Sequence, residues 1–182
     1  MTDTYQIKDQ YAPYFLTFQV IFWLDVFTRK EYRDVFLESL SYCRTNKKLE
    51  VFAYVIMYNH IHMIVRSDSG DLSGTIRDLK KFTSREIIKR ISSGGESRKR
   101  WLLKEMAFAA RKHCRNSSYQ LWTHENHAVE LTSNSIIDQR TDYIHRNPVK
   151  AGIVENAEDY LYSSARNYCD DYDALIEIDI MQ

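Results

Sequence analysis

The segment Met57-Tyr58-Asn59-His60-Ile61-His62-Met63-Ile64-Val65 carries the side chains best suited to holding a metal ion. Side chains alternate between the two faces of an extended strand, so His60 and His62 project to one side while Ile61 enters the opposite, apolar layer. Two neutral imidazoles on one rigid face supply half of a metal site. Their flanks, residues 51 to 57 and 61 to 65, are rich in β-branched and aromatic types, and Tyr58-Asn59 stands where a turn would join two strands. The pattern predicts a hairpin with the histidines opening its second strand. A His-x-His pair is also common as satisfied polar groups at a sheet edge, so alone it does not define a site.

A second constellation lies near residue 145, in Tyr143-Ile144-His145-Arg146-Asn147-Pro148-Val149-Lys150-Ala151-Gly152. Residues four apart share a helix face, so Tyr143, Asn147 and Gln139 look the same way, whereas His145 points roughly to the far side. The chain has thirteen tyrosines. Tyr54, Tyr58, Tyr160 and Tyr162 read as packing or interface groups. His113, His124 and His127 form no ligand spacing, and no Ser-His-Asp or Cys-His pattern is present.

The elements that must position these groups follow from periodicity. Residues 15 to 21 form an apolar, β-prone first strand. Thr28 with Glu31 makes a capping-box pattern; Tyr32, Val35, Phe36, Leu40 and Cys43 then recur on one helical face, ending near Asn46. After the hairpin, a second helix starts beyond Asp71, with Leu72, Ile76, Leu79, Ile87, Ile88 and Ile91 toward the core. Ser92-Ser93-Gly94-Gly95 is a loop, residues 101 to 112 read as helical with a mixed pattern, and residues 119 to 131 read as a fourth strand bending near Glu125-Asn126. Ser133 caps a last helix that Asn147-Pro148 would stop, because proline disfavours the helical conformation in the residue before it. The order β-α-β-β-α-β plus a C-terminal helix predicts an α+β, ferredoxin-like fold: a four-stranded antiparallel sheet with helices on one face. At 182 residues one domain is expected, with a core of about 14 to 150 and an acidic tail from 151 to 182.

Composition excludes several classes. Apolar residues are 44% and charged residues 27%, as in a globular protein, and no apolar run approaches the roughly 20 residues of a membrane helix. Cys43, Cys114 and Cys169 lack paired spacing, which argues against a disulfide framework and favours the cytoplasm. The net charge of zero is strongly segregated: residues 77 to 115 hold thirteen Lys or Arg against four acids, and from Glu155 onward eight acids face only Arg166. One surface is thus suited to a polyanion. Arg77, Lys80, Lys81, Arg85 and Lys99 are the candidate cations for such a ligand.

With the two constellations in order, the sequence resembles the HUH-type single-tyrosine transposases, and most nearly the REP-associated tyrosine transposases. In those proteins a Met-x-Asn-His-x-His strand precedes a Tyr-Ile-His-x-Asn-Pro-Val-Lys helix; here Tyr58 stands where many of them have proline. The similarity spans about residues 14 to 168, including the segment from 157 to 165. It implies binding to single-stranded DNA with hairpin structure and cleavage by a tyrosine hydroxyl. Tyr143 would be the nucleophile, and His60, His62 and Asn147 would hold a divalent metal, Mg²⁺ or Mn²⁺. The implied product is a 5′-phosphotyrosine and a free 3′-hydroxyl, with rejoining that needs no nucleotide cofactor. The resemblance and an exposed sheet edge favour a homodimer, although some similar proteins are monomers. Two other readings stay open: a domesticated protein that binds hairpins without cutting them, and an unrelated metal-dependent hydrolase.

Overall fold

The computed structural model describes residues 6–112, 118–169 and 173–180, so His113, Cys114 and Arg115 lie outside the described residues. Strand β1 (Tyr14–Gln19) leads through two short 3-10 turns to helix α1 (Lys30–Lys47), then to the hairpin β2 (Leu49–Ile56) and β3 (His60–Ser67). Helices α2 (Leu72–Ser93) and α3 (Lys99–Arg111), the short strand β4 (Val129–Glu130) and helix α4 (Asn134–Lys150) follow. The strands make one antiparallel sheet in the order β2-β3-β1-β4, which is the ferredoxin-like arrangement.

Register decides what each face carries. Thr17 lies opposite His62, Gln19 opposite His60 and Phe15 opposite Ile64, so these six side chains share one face. Leu16, Phe18, Ile61, Met63 and Val65, all fully buried, occupy the other, where Phe18 meets Phe36 of α1 edge to face. Helix α1 covers that apolar face with α2 packed against it and reaching Phe18 through Lys80, and α4 crosses the opposite one over β2 and β3.

Three local expectations are corrected. Thr28 does not cap α1: its hydroxyl donates to the Asp25 carbonyl and accepts from Arg98, and the helix begins without a side-chain cap. The fourth strand is regular only at Val129–Glu130. Upstream of it the chain still tracks β1 through isolated bonds, from Thr17 N–H to Asn126 O, from Thr123 N–H to Gln19 O and from Ile21 N–H to Leu121 O. Between those bonds it bulges outward, re-entering at His127 with φ 43°. Finally, α4 runs through Pro148 to Lys150. Pro148 gives up its N–H bond and crowds the Ile144 carbonyl, but the helix continues for two more residues; the stop is Gly152, at φ 69°, with Gly152 N–H to Val149 O and Ile153 N–H to Pro148 O closing a Schellman motif.

The edge of β2 is not open either. The chain returns along it after α4: Ile56 N–H bonds Tyr162 O at 2.9 Å, Tyr54 N–H bonds the Ser164 hydroxyl at 2.9 Å, and Val51 exchanges bonds with Asp179. Tyr160 and Tyr168 add their hydroxyls to the Ile56 and Phe52 carbonyls. The acidic tail therefore serves as edge cover, a recognised way of blunting a strand that could otherwise pair with another chain.

Candidate active site

The histidines sit where β3 emerges from the hairpin turn, their ring centroids 4.8 Å apart. Each is held from behind through Nδ1. His62 Nδ1 lies 2.9 Å from Thr17 Oγ1 on the neighbouring strand, and His60 Nδ1 lies 2.7 Å from Asn59 Oδ1. The second bond fixes a tautomer, because the other end of Asn59 donates its Nδ2 to the Trp23 carbonyl at 3.3 Å. A carbonyl only accepts, so the carboxamide turns its NH₂ toward Trp23 and its oxygen toward His60. Nδ1 of His60 then carries the hydrogen, and Nε2 presents a lone pair outward. Burial holds His60 below its ordinary value; burial, then the charges of His60 and Arg140, press His62 to about 3. Both rings are neutral, as ligation requires.

Helix α4 brings Tyr143 to this pair within the same chain. Its ring centroid is 5.3 Å from that of His62 and 6.0 Å from that of Phe15, which itself stacks on His62 at 5.2 Å. Ser133 starts the helix, as its sequence indicates, by accepting from Ile136 N–H. Two cations flank the tyrosine. Lys150 Nζ lies 5.2 Å from its ring centroid, and Arg140 spreads over Phe15 at 5.0 Å with a buried Nε that has no hydrogen-bond partner. Sequence reasoning gives Arg140 and Thr17 no part in the site and places Asn59 only in the hairpin turn. Arg140 could have been found as the residue one turn before Tyr143, but Thr17 becomes visible only once strand register is known.

The donor set fits a divalent ion. Both Nδ1 atoms are engaged behind the rings, leaving both Nε2 atoms for ligation, and Asn147 follows Tyr143 by one turn, half-buried. No group of three or more His, Cys, Asp or Glu gathers among the described residues, so a third protein ligand here has to be of another kind, such as an amide. Replacing Asn59 by Ala frees His60 to rotate and to protonate either nitrogen. Mn²⁺ affinity measured by calorimetry is expected to fall by about 10- to 100-fold; an unchanged affinity would refute the orienting role.

Other candidate residues fall elsewhere. Arg77, Lys81 and Arg85 are exposed along α2 at four-residue intervals, and Lys89 extends the line. They border an open groove whose opposite wall is residues 119–126. Lys80 turns inward: its ammonium bonds Thr123 O and Asn126 Oδ1, each at 2.7 Å, and caps the Phe18 ring at 5.1 Å. Burial lowers it to about 8, and its work is to pin the bulge that precedes β4. Lys99 is half-buried at the start of α3. His145 faces away from the site, its Nε2 2.9 Å from the Ser164 hydroxyl, and so ties α4 to the segment that covers β2. Tyr54, Tyr160 and Tyr162 are buried structural groups, while Tyr58 is exposed.

Two imidazoles on the sheet and one tyrosine on the helix that crosses it thus come together within one chain. The chain belongs to the IS200-like transposases: the family described as "Transposase IS200 like" matches residues 16–147. A solved structure of a REP-associated tyrosine transposase bound to a REP hairpin superposes with a TM-score of 0.63, covering 100% of this chain and 94% of that one at 16% identity. At that identity the likeness speaks for the fold. A putative transposase from Deinococcus radiodurans R1 is similar at a TM-score of 0.45 and 18% identity, covering 80% of this chain and 97% of that one. No curated protein sequence matches the chain. Among the described residues no helix is long and apolar enough to cross a membrane.

Proposed function

We propose that this transposase cuts and rejoins single-stranded DNA at hairpin-bearing sites through a covalent 5′-phosphotyrosine on Tyr143. The single observation that carries the reading is the 5.3 Å approach of the Tyr143 ring to His62 within one chain. Tyr143 Oη forms a bond to phosphorus, the bond from phosphorus to the 3′-oxygen breaks, and the phenolic proton is balanced by the one the departing 3′-oxygen takes up. A phenol is a weak nucleophile at neutral pH and a phosphodiester is an anionic electrophile, so the site must supply positive charge. A divalent ion held by His60, His62 and Asn147 would neutralise the phosphate and stabilise the leaving oxygen. Lys150 beside the tyrosine and Arg140 over the neighbouring Phe15 ring place two further cations at the site, and among the described residues no carboxylate joins the two histidines. Exchanging one phosphodiester for another conserves bond energy, so the reverse attack by a 3′-hydroxyl rejoins DNA.

The experiment is to incubate the chain with a hairpin carrying single-stranded flanks and Mn²⁺ or Mg²⁺, labelled at one end or the other. DNA labelled on the 3′ side of the cut should migrate with the protein on a denaturing gel, while 5′-labelled DNA is released with a free 3′-hydroxyl. Tight binding without either product would leave a hairpin-binding protein that does not cut. Arg77, Lys81, Arg85 and Lys99 are proposed as backbone contacts, which makes affinity fall steeply with salt.

Because β2 carries its own cover and Tyr143 reaches His62 in the same chain, the protein is expected to sediment as a monomer of 21.7 kDa. A dimer by analytical ultracentrifugation would show that another surface joins two copies.

A further inference from the structure

Beside His60 the chain places two consecutive residues, Phe22 and Trp23, in the left-handed region at φ 53° and 55°. Bulky side chains are strongly disfavoured in that region. Core packing does not compensate, because Phe22 is 48% and Trp23 56% exposed. Trp23 meets His60 edge on at 5.7 Å, and Phe22 meets Phe108 of α3 at 6.1 Å. Lys112 lies over both phenyl rings, 5.6 Å from Phe22 and 4.5 Å from Phe108. Along α3, Lys104 and Trp101 stand one and two turns before Phe108 on the same face. Trp101 and Phe108 are each 46% exposed. This explains the mixed pattern of α3. Leu102, Met106, Ala109 and Ala110 are its buried face, and the opposite face alternates aromatic rings with cations.

We propose that this face is a stacking track for the single-stranded segment running away from the scissile phosphate, with bases on Trp23, Phe22, Phe108 and Trp101 and phosphates beside Lys112 and Lys104. The proposal deepens the reading above and rests on it for its ligand, single-stranded DNA. Aromatic platforms interleaved with cations accept every base by its face and every phosphate by its charge. A second copy of the chain is a poorer occupant, since a symmetric contact would set like charges against each other, with Glu105 the one acid of α3.

The test uses the full chain in EDTA and a fluorescein-labelled, unstructured strand of about fifteen thymidines, read by anisotropy. Phe108→Ala and Trp101→Ala put the best helix former on an exposed helix face, so both should fold with an unchanged melting temperature. Each is expected to weaken binding by roughly tenfold, the double variant by more, and Phe108→Tyr should restore most of the loss. Wild-type chain that ignores the oligonucleotide overturns the track, as does a double variant that binds it as wild type does. A double variant that instead loses a concentration-dependent dimer would make the face a self-association surface and likewise overturn it. Covalent adduct formation on hairpin DNA is scored separately. Thymidine binding lost in the variants, with no adduct from wild type, sustains the track and sinks the cleavage chemistry; adduct with unaltered thymidine binding does the reverse.

Discussion

Tyr143→Phe is expected to abolish the covalent protein–DNA adduct, lowering strand cleavage by at least about a thousandfold, while leaving the fold and the affinity for DNA and metal intact. The phenyl ring keeps its contacts with Phe15 at 6.0 Å, with His62 at 5.3 Å and with the Lys150 ammonium at 5.2 Å, so only the hydroxyl is removed. Denaturing gels and a single-turnover time course read the chemistry; calorimetry with Mn²⁺ reads the metal. Cleavage that survives in Tyr143→Phe would point to water as the nucleophile, and hence to a metal-dependent hydrolase. His62→Ala gives the contrasting signature. It removes a proposed ligand, leaves the Thr17 hydroxyl without its partner and takes away the ring stacked on Phe15, so metal affinity, cleavage and stability should all fall together.

Trp122→Ala is expected to carry the largest stability cost, about 3–5 kcal/mol. The indole is 5% exposed, stacks on Phe27 at 5.6 Å and receives the edges of Phe18 and Phe36 at 5.6 and 6.1 Å. Its Nε1 donates to Thr83 Oγ1 at 3.1 Å, tying residues 119–126 to α2. Thr83 keeps its own bond to the Leu79 carbonyl, so the loss is one of packing and cavity rather than of an orphaned hydroxyl. A thermal melt should fall by on the order of 10 °C, with Trp122→Phe recovering part of it. A decrease of only about 2 °C would mean that the strand is held by β1 alone. The same variant should loosen the groove between α2 and residues 119–126, because the indole's tie from this segment to Thr83 of α2 is lost while the Lys80 bonds remain.

Much of this was legible in the residues. His60 and His62 could be placed on one face because strand periodicity is two and their neighbours are β-branched. Asp71 and Ser133 announced their helices because a short acceptor side chain ahead of an apolar-periodic run is a local signal, and both do cap, accepting from Gly74 and Ile136. What failed was decided by distant partners. Thr28 has the chemistry of a cap but is engaged by Asp25 and Arg98, the latter 70 residues away. Lys80 lies in a basic helical row, yet the bulge beyond Trp122 offered it two oxygens that no helical pattern could foretell. Pro148 reads as a terminator when only its effect on the preceding residue counts, whereas the glycine four positions later sets the stop. The fourth strand reads as longer than Val129–Glu130 in the sequence because alternation says nothing about where a partner stops following.

The cover along β2 comes from residues 104 to 128 positions later in the chain. A ribosome therefore releases the hairpin with its histidines well before the polypeptide that shields its flank has been made. Until Tyr162, Ser164 and Asp179 arrive, an unpaired row of amides from Val51 to Ile56 is available to any neighbouring nascent chain. Translational stalling after α4 would yield a product that holds His60, His62, Tyr143 and Asn147 but has a sticky flank, prone to precipitate before the cover is made.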